Sequence, residues 1–312
     1  MNPETKITTE ELQRICLRHG IAYVSHERIT TGFSHEVHRL NDDLVIKLFN
    51  KESKKNYICE SRILGIEGSE ILKPRLVATF EDSEMERAYI IMSYVPGKSL
   101  GSIWHLATDQ QREDLIKQIA IVLRAFQSID PTVLDFKEIK SSRDYLQNKS
   151  EKLITNLLAK KIVSEERALE VRSVVGRMLD YFPADEPAKP VYWDIHFDNF
   201  IVDEQYILQA IIDLENVRTL PLDYPLFVIE KQMRDPKKYL AEEDEKYADT
   251  KDYIHLEEWY NRYYPEMFKA DHLQERIKLY RLLDELHLMI DWSHDAELRD
   301  SFTALLAELQ ST

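Results

Sequence analysis

The sequence is poor in cysteine and in long apolar runs, and each shortage excludes a class of protein. Its two cysteines, Cys16 and Cys59, form no Cys-x-x-Cys pair. Neither a disulfide framework nor a thiolate metal site is therefore expected, and a reducing compartment is the simplest inference. No apolar stretch approaches the roughly 18–20 residues that span a bilayer, and the polar opening MNPETKITTEELQR does not resemble a signal peptide. We expect a soluble, cytoplasmic protein without a membrane partner.

Basic charge is also scarce in this chain. The 312 residues include 41 Lys and Arg against 56 Asp and Glu, which gives a formal net charge of −15. Proteins bind nucleic acid and anionic membranes through an excess of Lys and Arg, so neither is expected as a partner. Hydrophobic residues make up 44% of the chain, which is enough for a sizeable core. The sequence indicates no oligomeric state.

Local patterns divide the chain into a β-rich N-terminal part and a mostly helical C-terminal part. Thr8 and Glu11 form a capping-box pattern ahead of an amphipathic helix, and short strand patterns separated by turns follow as far as Ser93. Helical periodicity dominates after the break at 94–97, although a β-rich island at 190–214 interrupts it. This order predicts an α+β, bilobal protein with a small lobe over residues 1–95 and a larger lobe over residues 96–312.

The sharpest chemical signal lies in the β-rich island. Asp194 leaves a strand pattern, Asn199 follows five residues later, and Asp213 ends an apolar strand fourteen residues after Asn199. Phosphoryl transfer requires a carboxylate for the attacking hydroxyl, and oxygen ligands that hold Mg²⁺ against the phosphates. A chain reversal between two short strands would bring Asn199 and Asp213 to one edge, so the pattern favours that chemistry.

The segments VYWDIHFDNFIV (191–202) and IIDLE (211–215) resemble the catalytic loop and metal-binding strand of the aminoglycoside phosphotransferase and choline kinase superfamily. The pattern of that superfamily is roughly H-G-D-x-H-x-x-N followed by I-D-x-E. The resemblance implies a protein-kinase-like fold and ATP- and Mg²⁺-dependent phosphorylation of a hydroxyl on a small molecule. It implies that Asp194 is the catalytic base and that Asn199 and Asp213 are metal ligands. His196 and Glu215 fall on accessory positions of the same pattern.

Three positions depart from the pattern of that superfamily. Tyr192 and Trp193 stand where the superfamily usually has His and Gly, and Asp198 replaces a small residue just before the Asn. A bulky Trp beside the base is expected to reshape the acceptor pocket, so the departures affect the substrate more than the reaction. Aminoglycosides, choline, sugars and amino-acid alcohols such as homoserine remain open as acceptors, and GTP is not excluded as the donor.

The N-terminal part supplies the residues of a nucleotide site in the matching order. Lys47 lies on an otherwise apolar strand and resembles the lysine that contacts the α- and β-phosphates in this superfamily. Glu60 lies thirteen residues later within a predicted helix, where it is the expected partner of Lys47. Lysines on strands usually face solvent, so the prediction depends on the order of all these residues along the chain.

Two further segments are predicted to contact ATP. The turn TGFSH at 31–35 occupies the place of a phosphate-covering loop, which makes Gly32 and Ser34 candidate ATP-binding residues. The segment IIMSYVPG at 90–97 resembles the hinge between the lobes, where Met92 and Tyr94 would form walls for the adenine.

Two other readings of the same residues remain open. Asp194, His196 and Asp198 alternate along an extended stretch, which also suits a divalent-metal hydrolase, although such a site would need further ligands. A non-catalytic nucleotide-binding protein with the same fold is the second alternative. The four key polar residues of the predicted site are all present, however: Lys47, Asp194, Asn199 and Asp213. A site that had lost its activity would be expected to lack at least one of them.

Overall fold

The computed structural model describes residues 6–30, 35–68, 70–82, 87–134 and 141–311. The strands in these ranges are β1 (His26–Ile29), β2 (Glu36–Leu40), β3 (Leu44–Phe49), β4 (Leu76–Asp82), β5 (Arg87–Ser93), β6 (Lys98–Ser99), β7 (Lys189–Tyr192), β8 (Phe200–Val202), β9 (Leu208–Ile211) and β10 (Val217–Leu220). The helices are α1 (Thr9–Arg18), α2 (Lys54–Leu64), α3 (Leu100–Ile103), α4 (Asp109–Ala125), α5 (Ser142–Ala159), α6 (Glu165–Met178), α7 (Leu226–Arg234), α8 (Leu256–Tyr263), α9 (Leu273–Asp291) and α10 (Ala296–Ser311). No helix in the described ranges is both long enough and apolar enough to span a bilayer.

An antiparallel sheet forms the N-terminal region. Its order within the described residues is β1-β2-β3-β5-β4. The central strand β3 is covered on both faces, because alternate side chains point to opposite sides of a strand. Ile46 and Leu48 belong to the cluster that packs against α1, whereas Phe49 belongs to the core cluster shared with α2. This alternation directs Lys47 to the α2 side of the sheet.

The first helix begins at the predicted capping box. The Thr8 side chain accepts from the Glu11 backbone N–H, and the Glu11 carboxylate accepts from the Thr8 backbone N–H. The apolar face of α1 is formed by Leu12, Ile15 and Cys16, which are buried against the sheet. Local sequence therefore fixes where the helix begins, and its apolar stripe fixes which side packs on the sheet.

A close backbone approach links the N-terminal region to the β-rich island. Gly97 has φ +145°, and a Cβ at this position would lie 2.6 Å from the carbonyl oxygen of Val202. Only glycine tolerates both conditions, because other residues would clash with that carbonyl. The strand β6 begins at the next residue and pairs with β8, which leads out of the segment containing Asp194 and Asn199. The predicted break at 94–97 is thus in direct contact with the β-rich island.

The C-terminal region is mostly helical, as predicted, and the order of elements confirms the α+β class. The island is more elaborate than the sequence indicated. Its strands form a β6-β8-β9 sheet and a separate antiparallel pair of β7 with β10. The strand β10 was not predicted from the sequence, and it places the residues that follow Asp213 beside Tyr192.

Candidate active site

Lys47 and Glu60 meet between β3 and α2. The Lys47 Nζ lies 2.7 Å from Glu60 Oε2, and the two side chains are only 7% and 1% exposed. Ionised groups this deeply buried need partners, because burial removes the water that would otherwise solvate them. The expected pairing of Lys47 with Glu60 is present, and it fixes the direction of the ammonium group.

The turn after β9 brings two more carboxylates to the same ammonium. Asp213 adopts a left-handed backbone conformation with φ 59° and ψ 47°, which starts the short 3-10 turn Leu214–Asn216. Lys47 Nζ donates to Asp213 Oδ1 and lies 3.1 Å from Glu215 Oε2. His35 Nε2 lies 2.6 Å from the same Glu215 oxygen. A non-glycine residue in this conformation is uncommon, although aspartate adopts it more readily than most.

The electrostatics of this cluster follow from one ammonium facing three carboxylates. Burial opposes the charge of Lys47, but the carboxylates outweigh it and raise the pKa of Lys47 above its ordinary value. Burial raises the pKa of Glu60, although Lys47 opposes that shift. Burial acts in the same direction on Glu215, yet contacts with His35 and Lys47 lower its pKa to about 2.

The carboxylates of this cluster have the spacing of metal ligands, but the Lys47 ammonium contacts all three of them. Ligand oxygens of Glu60, Asp213 and Glu215 lie within 4.8 Å of one another. Within the described residues this is the group of acidic side chains with such spacing. Asp213 is the most exposed of the three, at 32%. Mg²⁺ prefers carboxylate and amide oxygens together with waters and phosphates, so the Asp213 carboxylate fits one ligand of a magnesium–nucleotide complex.

The segment after β7 holds Asp194 in a cage of neutral amides. Asn199 Nδ2 donates to the Asp194 carbonyl oxygen at 2.9 Å and to Oδ2 at 3.2 Å. Asn216 Nδ2 donates to the same Oδ2 at 2.9 Å. His196 Nε2 lies 3.1 Å from the other oxygen, Oδ1. Because Asn199 uses its N–H group on Asp194, its own Oδ1 is the atom that it can offer to a cation.

The environment makes Asp194 a better base than an exposed aspartate. Burial raises the pKa of Asp194 above its ordinary value, and the neighbouring Asp213 acts in the same direction. His196 and the two amides oppose that rise without cancelling it. A buried carboxylate with a raised pKa beside a charged cluster is typical of a functional site.

The three departures from the expected motif have structural partners. Tyr192 is buried, and its hydroxyl donates to the Ile212 carbonyl at 3.1 Å, which ties β7 to the strand before Asp213. Asp198 accepts from the Ser99 hydroxyl at 2.9 Å, which ties the loop to β6. The Trp193 ring lies 6.2 Å from the ring of Phe227 on α7.

The contact of Asp198 weakens the hydrolase interpretation. Asp198 turns toward Ser99, whereas a metal site built from Asp194, His196 and Asp198 would need all three side chains to converge. In the part of the chain that the structure describes, the metal-ligand spacing is found at Glu60, Asp213 and Glu215 instead.

The other predicted ATP contacts lie at the end of β5 or outside the described residues. Met92 is 7% exposed on β5 and packs in the main core. Tyr94 follows β5, donates its backbone N–H to the Asp43 carbonyl at 2.7 Å, and carries the Arg39 guanidinium over its ring. Met92 lies just before the break at 94–97 between the two regions, and Tyr94 is its first residue. Gly32 and Ser34 lie outside the described residues.

Sequence reasoning missed two residues of the site. His35 ends the predicted TGFSH turn but was not a candidate site residue, and Asn216 was not considered. The available signals were the polar residues adjoining the predicted loop and the acidic strand end. Their partners, Glu215 and Asp194, are distant in sequence, so only the tertiary structure reveals the contacts.

Comparison with known proteins identifies the family of this chain. The family model described as "Phosphotransferase enzyme family", abbreviated APH, matches residues 25–229, which is more than half of the chain. The chain belongs to this family. The matched range of the phosphotransferase family includes Lys47, Glu60 and every residue of the Asp194 cage. Among curated proteins, the sequence search found no match.

Solved structures of aminoglycoside phosphotransferases share the fold. The ADP-bound structure of APH(2'')-Ib is 15% identical with a TM-score of 0.65, and the match covers 97% of each chain. A streptomycin–ATP complex of APH(2'')-IIa is 14% identical with a TM-score of 0.65, covering 99% of this chain and 97% of that one. A mutant APH(4)-Ia with ADP and hygromycin B is 14% identical with a TM-score of 0.64, covering 96% of each. These matches confirm the predicted bilobal, kinase-like fold of this phosphotransferase family member.

Proposed function

We propose that this protein is an ATP- and Mg²⁺-dependent kinase that phosphorylates a hydroxyl group of a small molecule. One observation carries the proposal. The buried Lys47–Glu60 pair of the N-terminal region meets Asp213 of the C-terminal region, and the Asp194 cage adjoins it. Phosphoryl transfer requires this combination of a phosphate-binding cation, oxygen ligands for a metal ion, and a positioned carboxylate.

The donor side is assigned to the charged cluster. Lys47, held by Glu60, would neutralise the phosphates of the nucleotide. Asn199 and Asp213 would hold Mg²⁺, which supplies electrostatic stabilisation of the developing charge on the phosphates. Glu215 would support Lys47 together with Glu60, since the charged atoms of Glu215 and Lys47 lie 3.1 Å apart. Most of the rate acceleration is expected from positioning and charge stabilisation.

The acceptor side is assigned to Asp194. Its carboxylate would accept a hydrogen bond from the acceptor hydroxyl and take its proton as the oxygen attacks the γ-phosphorus. The bond between that phosphorus and the bridging oxygen of the nucleotide breaks, so ADP leaves as the phosphorylated product forms. His196, 3.1 Å from Asp194 Oδ1, adjoins the oxygen that would take the proton.

The comparisons leave fewer candidates for the phosphate donor than for the acceptor. Related solved structures include complexes with ADP, ATP and GDP, so a purine nucleotide is the proposed donor, with GTP as the variant to test. Several of those structures hold aminoglycosides, which favours a small polyhydroxylated acceptor here. We assign donor binding to a lobe at 1–95, with Met92, Tyr94, Gly32 and Ser34 as further contacts, and acceptor binding to a lobe at 96–312. A cytoplasmic location stays a prediction.

An ATP-consumption screen tests the proposed function. The full-length protein with Mg²⁺ is assayed over aminoglycosides, choline, sugars and amino-acid alcohols, and mass spectrometry checks for a phosphorylated product. Asp194→Asn is the matched control, because it keeps the side-chain shape and removes the base. We expect acceptor-dependent ADP formation in the wild type that this variant loses. Tight binding of Mg²⁺ and ATP without a phosphorylated product across the panel would favour a non-catalytic nucleotide-binding protein.

A further inference from the structure

The two carboxylate oxygens of Asp194 have different surroundings. Oδ2 accepts from two side-chain amides, Asn216 at 2.9 Å and Asn199 at 3.2 Å. Oδ1 faces the imidazole of His196 at 3.1 Å. Two N–H donors on one oxygen fix the rotation of the carboxylate, because turning it would break both hydrogen bonds. The sequence motif and the family assignment account for Asn199, but neither accounts for Asn216.

The backbone holds Asn216 firmly in this position. It ends the 3-10 turn that starts at Asp213, and the next residue, Val217, pairs with Tyr192 in the β7–β10 ladder. The Arg218 guanidinium donates to the carbonyl oxygens of Glu215 and Val217, which closes the turn from the other side. The same turn therefore places Asn216 beside Asp194 and Asp213 beside Lys47.

We propose that Asn216 is a positioning residue for the base, and that Asn199 and Asn216 together hold Oδ2 so that Oδ1 receives the proton of the acceptor. The proposal rests on the proposed kinase function and adds the direction from which the acceptor arrives. That direction is the side of His196, whose ring lies 4.8 Å from the ring of Tyr239. The acceptor hydroxyl would thus dock between Oδ1 and the wall formed by these two rings.

The choice of a neutral amide has a chemical reason. A Lys or Arg beside Asp194 would stabilise the carboxylate strongly and make it a poorer base, whereas an amide holds it in place with a weaker hydrogen bond. Asn199 and Asn216 both hold the Asp194 carboxylate in place, but only Asn199 has a second proposed role. Asn199 is also a proposed ligand for Mg²⁺, so a change there disturbs both functions. A change at Asn216 isolates the positioning of the base.

The test compares variants of the full-length protein with an acceptor identified in the panel. Asn216→Asp keeps the side-chain shape, removes the N–H donor and places a second carboxylate beside Oδ2. Asn216→Leu removes the donor without adding charge. We expect both variants to lower kcat by about 10–10²-fold, the size of effect that misplaced catalytic groups produce. The KM values for ATP and for the acceptor should stay within about twofold, since the donor and acceptor contacts are otherwise intact.

Three controls separate positioning from loss of folding or of nucleotide binding. Asn216→Gln keeps an amide N–H on a longer side chain and should retain more activity than Asn216→Asp. Asn156→Asp on α5, also a part-buried asparagine, makes the same chemical change away from the site and should leave kcat unchanged. Asn199→Asp should alter the Mg²⁺ concentration needed for half-maximal activity, whereas Asn216→Asp should not.

Several outcomes would overturn the proposal. Wild-type kcat in Asn216→Asp removes Asn216 from its role while the kinase function stands. A parallel rise in the KM for ATP assigns Asn216 to the nucleotide site instead. Equal losses in Asn216→Asp and Asn156→Asp indicate general destabilisation. If the wild-type protein transfers phosphate to no acceptor while still binding nucleotide, the kinase function itself fails, and the positioning role fails with it.

Discussion

The cluster around Lys47, here called the donor side, and the cage around Asp194, here called the base side, differ in how their charges are compensated. On the donor side, Lys47 faces the carboxylates of Glu60, Asp213 and Glu215, so opposite charges compensate one another. On the base side, Asp194 meets neutral amides and one imidazole. The pKa of Glu215 falls to about 2 beside His35 and Lys47, whereas burial raises the pKa of Asp194 and, on the donor side, that of Glu60. From the proposed roles we expect the paired charges around Lys47 to stabilise the fold, and Asp194 to be held at a cost in stability.

The largest expected effect is a loss of turnover on substitution of Asp194, without a loss of nucleotide binding. Asp194→Asn should lower turnover by about 10²–10⁴-fold, the usual contribution of a positioned acid–base group. Nucleotide binding should remain within about twofold of wild type, because the substitution leaves the donor side intact. Steady-state kinetics and calorimetric titration of ATP with Mg²⁺ measure the two quantities. Asp213→Ala should show the reverse pattern and lose Mg²⁺-dependent nucleotide binding.

The contrast between the donor side and the base side is contradicted if Asp194→Asn also loses nucleotide affinity, since the two sides would then act as one unit. Near-normal turnover in the same variant would remove Asp194 from the role of base.

The next effect concerns the stability of the donor side. Lys47→Met should lower the free energy of unfolding by about 3–5 kcal/mol, the usual cost of removing one partner from a buried ion pair. Glu60 and Glu215, at 1% and 4% side-chain exposure, would be left close together without their shared cation. Urea unfolding without nucleotide measures the loss. A loss below about 1 kcal/mol would mean that water or protonation compensates the carboxylates, and the donor side would not be the stabilising half.

The sequence predicted the donor side more completely than the base side, and the reason is physical. Local patterns predict the strand of Lys47 and the helix of Glu60, and the resemblance to the superfamily predicts that the two residues pair. The motif places Asp194 and Asn199 within five residues of each other. The cage is completed by Asn216, which reaches Asp194 only because β10 pairs with β7. A pairing of two four-residue strands far apart in the chain leaves a weak local pattern, so this part could not be predicted.

A smaller effect of opposite sign is expected on the base side. Asp194→Asn should raise the free energy of unfolding at pH 7 by about 0.5–2 kcal/mol, the usual gain when a destabilised functional group is replaced. The folded-state pKa of Asp194 lies above its ordinary value of 3.8. The penalty on the wild type is therefore absent below about that pH and develops as the pH rises through the folded-state pKa.

Denaturant unfolding of the nucleotide-free wild type and variant from pH 4 upward would show this gain. The difference between the two proteins should grow with pH. A constant or shrinking difference would show that Asp194 is not held at a cost, and the contrast between the two sides would disappear.

The smallest effect comes from a matched ion pair at the surface. Lys54 Nζ lies 2.7 Å from Glu81 Oε2, the same separation as in Lys47–Glu60, but these side chains are 60% and 52% exposed. Lys54→Ala should therefore change the free energy of unfolding by at most about 1 kcal/mol, because solvent screens exposed charges and both partners keep their hydration when separated. Raising the salt concentration should remove even this difference, whereas the loss in Lys47→Met should persist. If both lysine substitutions had equal effects, burial would not be the reason for the stability of the donor side.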